Sequence, residues 1–262
     1  MTADAAPHPP RLLILGGTTE ARALAEALAR RGDWQVVTSL AGRTAAPRPP
    51  PGILRSGGFG GTDGLRAWLR DHRPAAVVDA THPFAAAISA QAAAACAAEG
   101  IPRLRLDRPP WPAEAGWTRT ATLAEAAARL PGLGRRVLLT IGRRDLALFA
   151  ARPVAALVAR VVTPPSPPPP GVTLVVGRGP FAVAEEEALM RRHRIDVVVA
   201  KNSGGTATAA KLDAARRCGA GVLMVDRPPP PAGPVAETVE AVLDWLERPE
   251  ERKRPDRRDA PP

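Results

Sequence analysis

The chain reads as an α/β protein made of two Rossmann-like domains, each a parallel sheet flanked by helices, with a ligand cleft between them. Three observations carry this reading. Short apolar runs of strand length alternate with helix-forming segments through both halves of the chain. Many of those runs end in glycine-rich or polar loops, as the binding edge of a doubly wound sheet requires. The alternation breaks once, around Pro109-Pro110-Trp111-Pro112, and then resumes.

Residues 1–10 are polar and proline-bearing and are expected to form a disordered tail. Leu12-Leu13-Ile14-Leu15 is a fully apolar strand that stops at Gly16-Gly17 and turns directly into the helix former Ala21–Leu28. Trp34–Leu40 has the length and β-branched content of a second parallel strand. A short strand at 53–56, a helix at 64–71, a buried strand at 75–80, an alanine-rich helix at 84–99 and a strand at 103–106 are expected next. They complete a first domain, 11–115.

The second domain, 116–247, is assigned to substrate binding. Its strands are expected at 137–141, 157–162, 173–176, 196–200 and 222–225, and its helices at 123–130, 145–151, 181–193, 206–218 and 234–247. Pro164–Pro170 must be an extended loop, because proline cannot donate to a ladder. From Arg248 to 262 the chain is charged and proline-rich, and a second disordered tail is expected.

Composition narrows the function. A formal net charge of +10 in 262 residues would ordinarily point to nucleic acid. Here the basic residues are scattered arginines, in a pattern that also matches the codon bias of a GC-rich genome. Four Phe, five Trp and no Tyr leave few stacking platforms. The charge suits an anionic small molecule instead. Cys96 and Cys218 lie far apart without metal-ligand spacing, so no metal site and two reduced thiols are expected. No apolar run reaches spanning length, and a cytoplasmic protein without membrane partners is expected.

The strand–turn–helix at Gly16, Gly17, Thr18, Thr19 and Glu20 places backbone N–H groups and a helix N-terminus where a phosphate can sit. In phase with G-x-G-x-x-G, Thr18 and Ala21 replace the second and third glycines. An ordinary βα turn would look similar. The second strand then ends in Ser39-Leu40-Ala41-Gly42-Arg43, with no carboxylate to hold a ribose 2′-hydroxyl. A guanidinium and hydroxyls suit a 2′-phosphate, which favours NADPH over NADH.

Four further loops carry candidate chemistry. Gly57-Gly58-Phe59-Gly60-Gly61 allows close backbone approach beside an aromatic face, with Gly58 toward the cofactor and Phe59 and Gly60 toward substrate; the alternative is a flexible connection with Phe59 tucked into the core. In Asp79-Ala80-Thr81-His82-Pro83-Phe84, Thr81 either caps the next helix or touches cofactor. His82 is a proton donor, a ligand contact or a structural loop histidine. In Lys201-Asn202-Ser203-Gly204-Gly205, Lys201 is the candidate partner of an anionic group, with Asn202, Ser203 and Gly204 beside it; the alternative is a helix cap by Ser203 with a solvated lysine. A lysine stands out where 33 of the 36 basic residues are arginine. Arg143 and Arg178, each just past a strand end, are candidates for substrate carboxylates.

Together GGTTEA at 16–21, SLAGR at 39–43, GGFGG at 57–61, DATHPF at 79–84, IPRLRLDRPPW at 101–111, TIGRRDL at 140–146 and KNSGG at 201–205 resemble the precorrin-6A reductase family of cobalamin biosynthesis. The resemblance runs from about Leu12 to Leu246. It implies NADPH-dependent reduction of one double bond of an anionic tetrapyrrole, precorrin-6A, to precorrin-6B, with hydride to C19 and a proton to C18. His82 and Lys201 are the candidate catalytic residues, although alignment of the reactants can supply much of the rate. Two alternatives stay open: a cobalt-precorrin-6A reductase, which could use NADH, and a dinucleotide-binding protein without turnover. Oligomeric state is not legible.

Overall fold

The computed structural model describes residues 9–42 and 49–252. In chain order its first elements are β1 (Arg11–Leu15), α1 (Thr19–Arg31), β2 (Gln35–Leu40), β3 (Ile53–Ser56), α2 (Gly61–His72), β4 (Ala76–Asp79), α3 (Ala86–Glu99) and β5 (Arg103–Leu106). Next come β6 (Trp117–Thr120), α4 (Leu123–Arg129), β7 (Arg136–Thr140), α5 (Ala147–Ala150), β8 (Ala156–Val161) and β9 (Val172–Val176). The chain then forms α6 (Val183–His193), β10 (Val197–Lys201), α7 (Ala210–Cys218) and β11 (Gly221–Val225). It closes with β12 (Val235–Ala236), α8 (Val239–Glu247) and α9 (Pro249–Arg252). The described residues form two compact units, one within 1–108 and 229–262, the other within 109–228.

The first unit holds a parallel six-stranded sheet in the order β12-β5-β4-β1-β2-β3. β1 lies at its centre and is apolar on both faces, as a strand covered on both sides must be. Leu12 and Ile14 face one core with Leu24 and Leu28 of α1 and with Val242, Trp245 and Leu246 of α8. Leu13 and Leu15 face the other core with Leu65 and Leu69 of α2 and with Ala92 and Ala95 of α3. α1 starts where the Thr18 hydroxyl accepts from Ala21 N at 3.1 Å. It ends at Gly32, whose φ of 72° lets its N–H reach the Leu28 carbonyl.

The second unit repeats this plan in the order β6-β11-β10-β7-β8-β9, again wholly parallel. β7 takes the place of β1 and β10 that of β4. Met190, Leu212, Ala214 and Ala215, from α6 and α7, close one face over Leu138, Val158, Val198 and Met224. The sixth strand comes from opposite ends of the sequence in the two units: β12 follows every other strand of the first, and β6 precedes every other strand of the second.

The two-sheet α/β architecture matches the sequence reading, with corrections at its seams. The units part at Arg108/Pro109 rather than at 115, and the segment from Pro229 belongs to the first unit rather than the second. The reason is apolar cover, since the inner face of α8 seals the Leu12 and Ile14 side of β1. The expected helix at 234–247 is β12 followed by α8, which starts after the Thr238 hydroxyl accepts from Ala241 N at 3.2 Å. β6 went unread because Trp117-Thr118-Arg119-Thr120 is a polar edge strand with only β11 beside it. The helix expected at 206–218 begins only at Ala210. In the expected tail, Pro249–Arg252 adds a helical turn. Residues 1–8 and 253–262 lie outside the described residues, and so does Arg43. Pro164–Pro170 is irregular and largely exposed, as expected.

Candidate functional site

In the first unit the strand order reverses direction between β1 and β4, and the loops after those two strands meet there. Gly16 N donates to Ser39 O at 2.9 Å. A Cβ on Gly16 would lie 3.0 Å from Thr38 Cγ2, so the turn is pressed against β2. Gly17 has φ 114° with open space around it, a conformation that suits glycine and leaves the backbone approachable. The Thr18 hydroxyl donates to Ala80 O at 2.8 Å while accepting from Ala21 N, so it ties the end of β1 to the end of β4. With that proton committed, an anion here meets backbone N–H groups of the first turn of α1, which lack helical acceptors.

Beneath this turn lies a closed polar ring. Asp79 is 0 % exposed and Arg105 3 %, and they are direct partners across β4 and β5. Arg105 Nη1 donates to Asp79 Oδ2 at 2.9 Å and to Ser89 Oγ at 2.8 Å. Thr81 Oγ1 donates to Asp79 Oδ1 at 2.7 Å. Its single proton is thereby used, so Ser89, 3.2 Å away, is the donor to Thr81. Thr81 is thus an oriented, buried side chain bordering the site. Beside it Arg108 pairs with Glu20, cancelling a carboxylate that would otherwise repel a phosphate at the start of α1. Thr18, Glu20, Thr81, Pro83, Asp107 and Arg108 border one shallow depression.

His82 is exposed; its Nδ1 accepts from Phe84 N at 3.2 Å, which leaves the proton of the neutral ring on Nε2. At the ends of β2 and β3, Arg55 Nη1 donates to Ser39 Oγ at 3.2 Å and to Gly57 O at 2.7 Å, and Nη2 donates to Gly58 O at 2.8 Å. Its guanidinium lies 3.7 Å from the centre of the Phe59 ring. Phe59 also meets Trp68 edge-on at 5.9 Å, so this half-buried ring is part of the local packing. Gly60 caps α2 at φ 85°, and Gly42 has φ 67° with its Cα side against Gly57.

The equivalent edge of the second unit brings Lys201 and Asp145 together, Nζ to Oδ2 at 2.7 Å. The rest of the KNSGG loop is explained by the segment at 109–111. Asn202 accepts from Trp111 N at 2.8 Å and donates to Trp111 O at 3.1 Å. Trp111 Nε1 donates to Gly205 O at 2.9 Å. A Cβ on Gly204 would sit 2.0 Å from Pro109 O. Asn202 and Gly204 therefore have a local structural reason to be what they are, and Ser203 is buried between them. Arg143 is half-buried and Arg178 exposed, in the loops after β7 and β9.

Sequence reasoning left Arg55, Arg105 and Arg108 unassigned. The signal for Arg105 was present in Arg103-Leu104-Arg105-Leu106, where arginines alternate in a strand that is buried throughout. Burial pushes the pKa of Arg103 down, with the Asp79 carboxylate opposing that shift.

The profile described as Precorrin-6x reductase CbiJ/CobK matches residues 11–247. A precorrin-6A reductase of Rhodococcus erythropolis is 53% identical over 240 residues, covering 90% of this chain and 97% of that protein. One from Rhodobacter capsulatus is 47% identical over 240 residues, covering 90% and 95%. A cobalt-precorrin-6A reductase of Priestia megaterium is 27% identical over 251 residues, covering 90% and 97%. A solved structure of CobK precorrin-6A reductase superposes with a TM-score of 0.85 at 46% identity, covering 91% of this chain and 96% of that one. Architecture, loops and relatives agree, and the chain belongs to the precorrin-6x reductase family, CbiJ/CobK.

Proposed function

We propose that this protein reduces precorrin-6A to precorrin-6B in the cytoplasm during cobalamin biosynthesis, using NADPH as hydride donor. The observation that carries the reading is the Gly16–Thr18 turn at the switch point of the first unit, held by Thr18 on Ala80 and open at Gly17. It fits a dinucleotide pyrophosphate, with the N–H groups from Gly17 to Glu20 as donors. Ser39, Gly42 and Gly58, at the β2 and β3 ends, are assigned to the adenosine side, as Arg43 is from the sequence, and Thr81, after β4, to the opposite side of the pyrophosphate turn. When bound, the cofactor supplies a hydride, delivered to C19 of the macrocycle.

The chain's own part is binding and alignment. Lys201, held by Asp145, and the arginines Arg143 and Arg178 present cations to the carboxylates of the tetrapyrrole. His82 is exposed, which supports proton delivery to C18 from solvent or through its Nε2–H. The metal-free substrate is favoured because relatives named for it share 47–53% identity, against 27% for the Priestia megaterium cobalt-precorrin enzyme.

Anaerobic incubation with precorrin-6A and NADPH tests the reading. Stoichiometric loss of nicotinamide absorbance with a product heavier by two hydrogens is expected. Binding of NADPH without consumption would make the chain a dinucleotide-binding protein instead.

A further inference from the structure

Arg55 differs from most of the charged side chains around it. Arg105, Arg108, Arg66 and Arg70 of the same unit each sit against a carboxylate. Arg55 is held by three neutral oxygens, Ser39 Oγ and the carbonyls of Gly57 and Gly58, and by the face of Phe59. Among the described residues no carboxylate pairs with it. Burial draws its pKa down, and no neighbouring charge opposes that shift. A partly desolvated cation fixed in place without a counter-ion is a receptor for an anion.

Its position says which anion. Ser39 and Arg55 are direct partners across the ends of β2 and β3. The end of β2 is where a dinucleotide-binding sheet meets the adenosine ribose. A guanidinium has five N–H donors. Both on Nη1 and one on Nη2 are used, which leaves Nε–H and the other Nη2–H as a fork of the kind that grips a phosphate. Phe59 below and the two glycine carbonyls beside it keep that fork from swinging away.

We propose that Arg55 reads the 2′-phosphate of NADPH and is a specificity-determining residue for this cofactor. The assignment rests on the proposed use of NADPH. It differs from the assignment of Arg43 because Arg55 comes from the neighbouring strand and is pre-positioned through Ser39.

The test is titration of NADPH, NADH, 2′,5′-ADP and 5′-AMP into the full-length protein and into Arg55→Leu, Arg55→Gln and Arg55→Lys. Wild type should prefer NADPH and 2′,5′-ADP. Arg55→Leu should weaken these two about 10- to 100-fold, the loss of one or two charge-assisted hydrogen bonds. NADH and 5′-AMP should change less than about two-fold. Arg55→Gln keeps a donor for the glycine carbonyls, so it should fold and show the same selective loss if Arg55→Leu does not fold. Arg55→Lys, with the charge but no fork, should fall between. Equal losses for phosphorylated and unphosphorylated ligands would mean that Arg55 only shapes the Gly57–Phe59 loop, and would overturn the proposal. So would unchanged NADPH affinity in all three variants. A wild type that binds NADH as tightly as NADPH would overturn the NADPH reading itself, and with it any 2′-phosphate reader.

Discussion

Asp79 and Arg105 face each other across β4 and β5 with their charges fully inside the first unit, 2.9 Å apart, and Ser89 and Thr81 close the ring around them. An ion pair in such a place is stable only while both partners and their hydrogen bonds are present. Arg105→Leu leaves a buried carboxylate uncompensated and should destabilise the first unit by about 3–5 kcal/mol. Asp79→Leu combined with Arg105→Leu should recover part of that loss. Denaturant unfolding of the two variants checks this, and a double variant less stable than the single one would contradict it.

Thr18 and Ala80 give a second prediction, at the site itself. One hydroxyl caps α1 and bridges the two strands of the switch point. Thr18→Val removes both bonds with little change in volume. It should cost about 1–2 kcal/mol, as a lost cap does, and weaken NADPH binding. Thr18→Ser should restore both. Thermal unfolding and cofactor titration on the same samples would show whether stability and binding move together.

Asn202 is expected to behave as a clamp. Asn202→Ala leaves the N–H and C=O of Trp111 without their partner and should destabilise the second unit by about 1–3 kcal/mol. Lys201→Ala should instead leave stability within about 0.5–1 kcal/mol, the scale of a partly exposed ion pair. Its effect should be a raised KM for the tetrapyrrole with kcat little changed, the mark of lost uniform binding. A fall in kcat with unchanged KM would place Lys201 in the chemical step.

Architecture and site were legible to different degrees, for physical reasons. Fully buried parallel strands such as Leu12–Leu15 and Val197–Ala200 are continuous apolar runs, so their sequence announces them. β6 is an edge strand with polar alternation, and β12 pairs through only two residues, so neither leaves such a trace. The unit to which α8 belongs depends on a contact more than 200 residues away in sequence, and local pattern carries no information about it. At the site, glycine turns were readable because φ near 114° at Gly17 or 85° at Gly60 restricts residue type. Arg55 was not, because an arginine looks the same whether it is solvated or held between strands; Arg105 left only the trace of an arginine alternating with leucine in a short strand. KNSGG was readable only as a polar, anion-friendly turn, because the constraints on Asn202 and Gly204 come from Trp111 and Pro109, about 90 residues away in sequence.

Cys96 yields a prediction about pH. Burial pushes its thiol up to about 12 from an ordinary value of 9.0. Above pH 9 the unfolded chain therefore loses this proton before the folded one. Stability should fall as pH rises from about 9 toward 12, by at most about 1.4 kcal/mol per unit from this group. Cys96→Ala should remove that component of the slope. In the native protein a thiol reagent should label the half-exposed Cys218 and leave Cys96 untouched until unfolding.

The reaction assignment is tested most directly by following the hydride. NADPH carrying deuterium at the transferable position should be incubated anaerobically with precorrin-6A and the protein, and the product read by mass and by NMR. One deuterium at C19 and a solvent-derived hydrogen at C18 are predicted. A product with no deuterium, or turnover confined to the cobalt-bound macrocycle, would contradict the assignment.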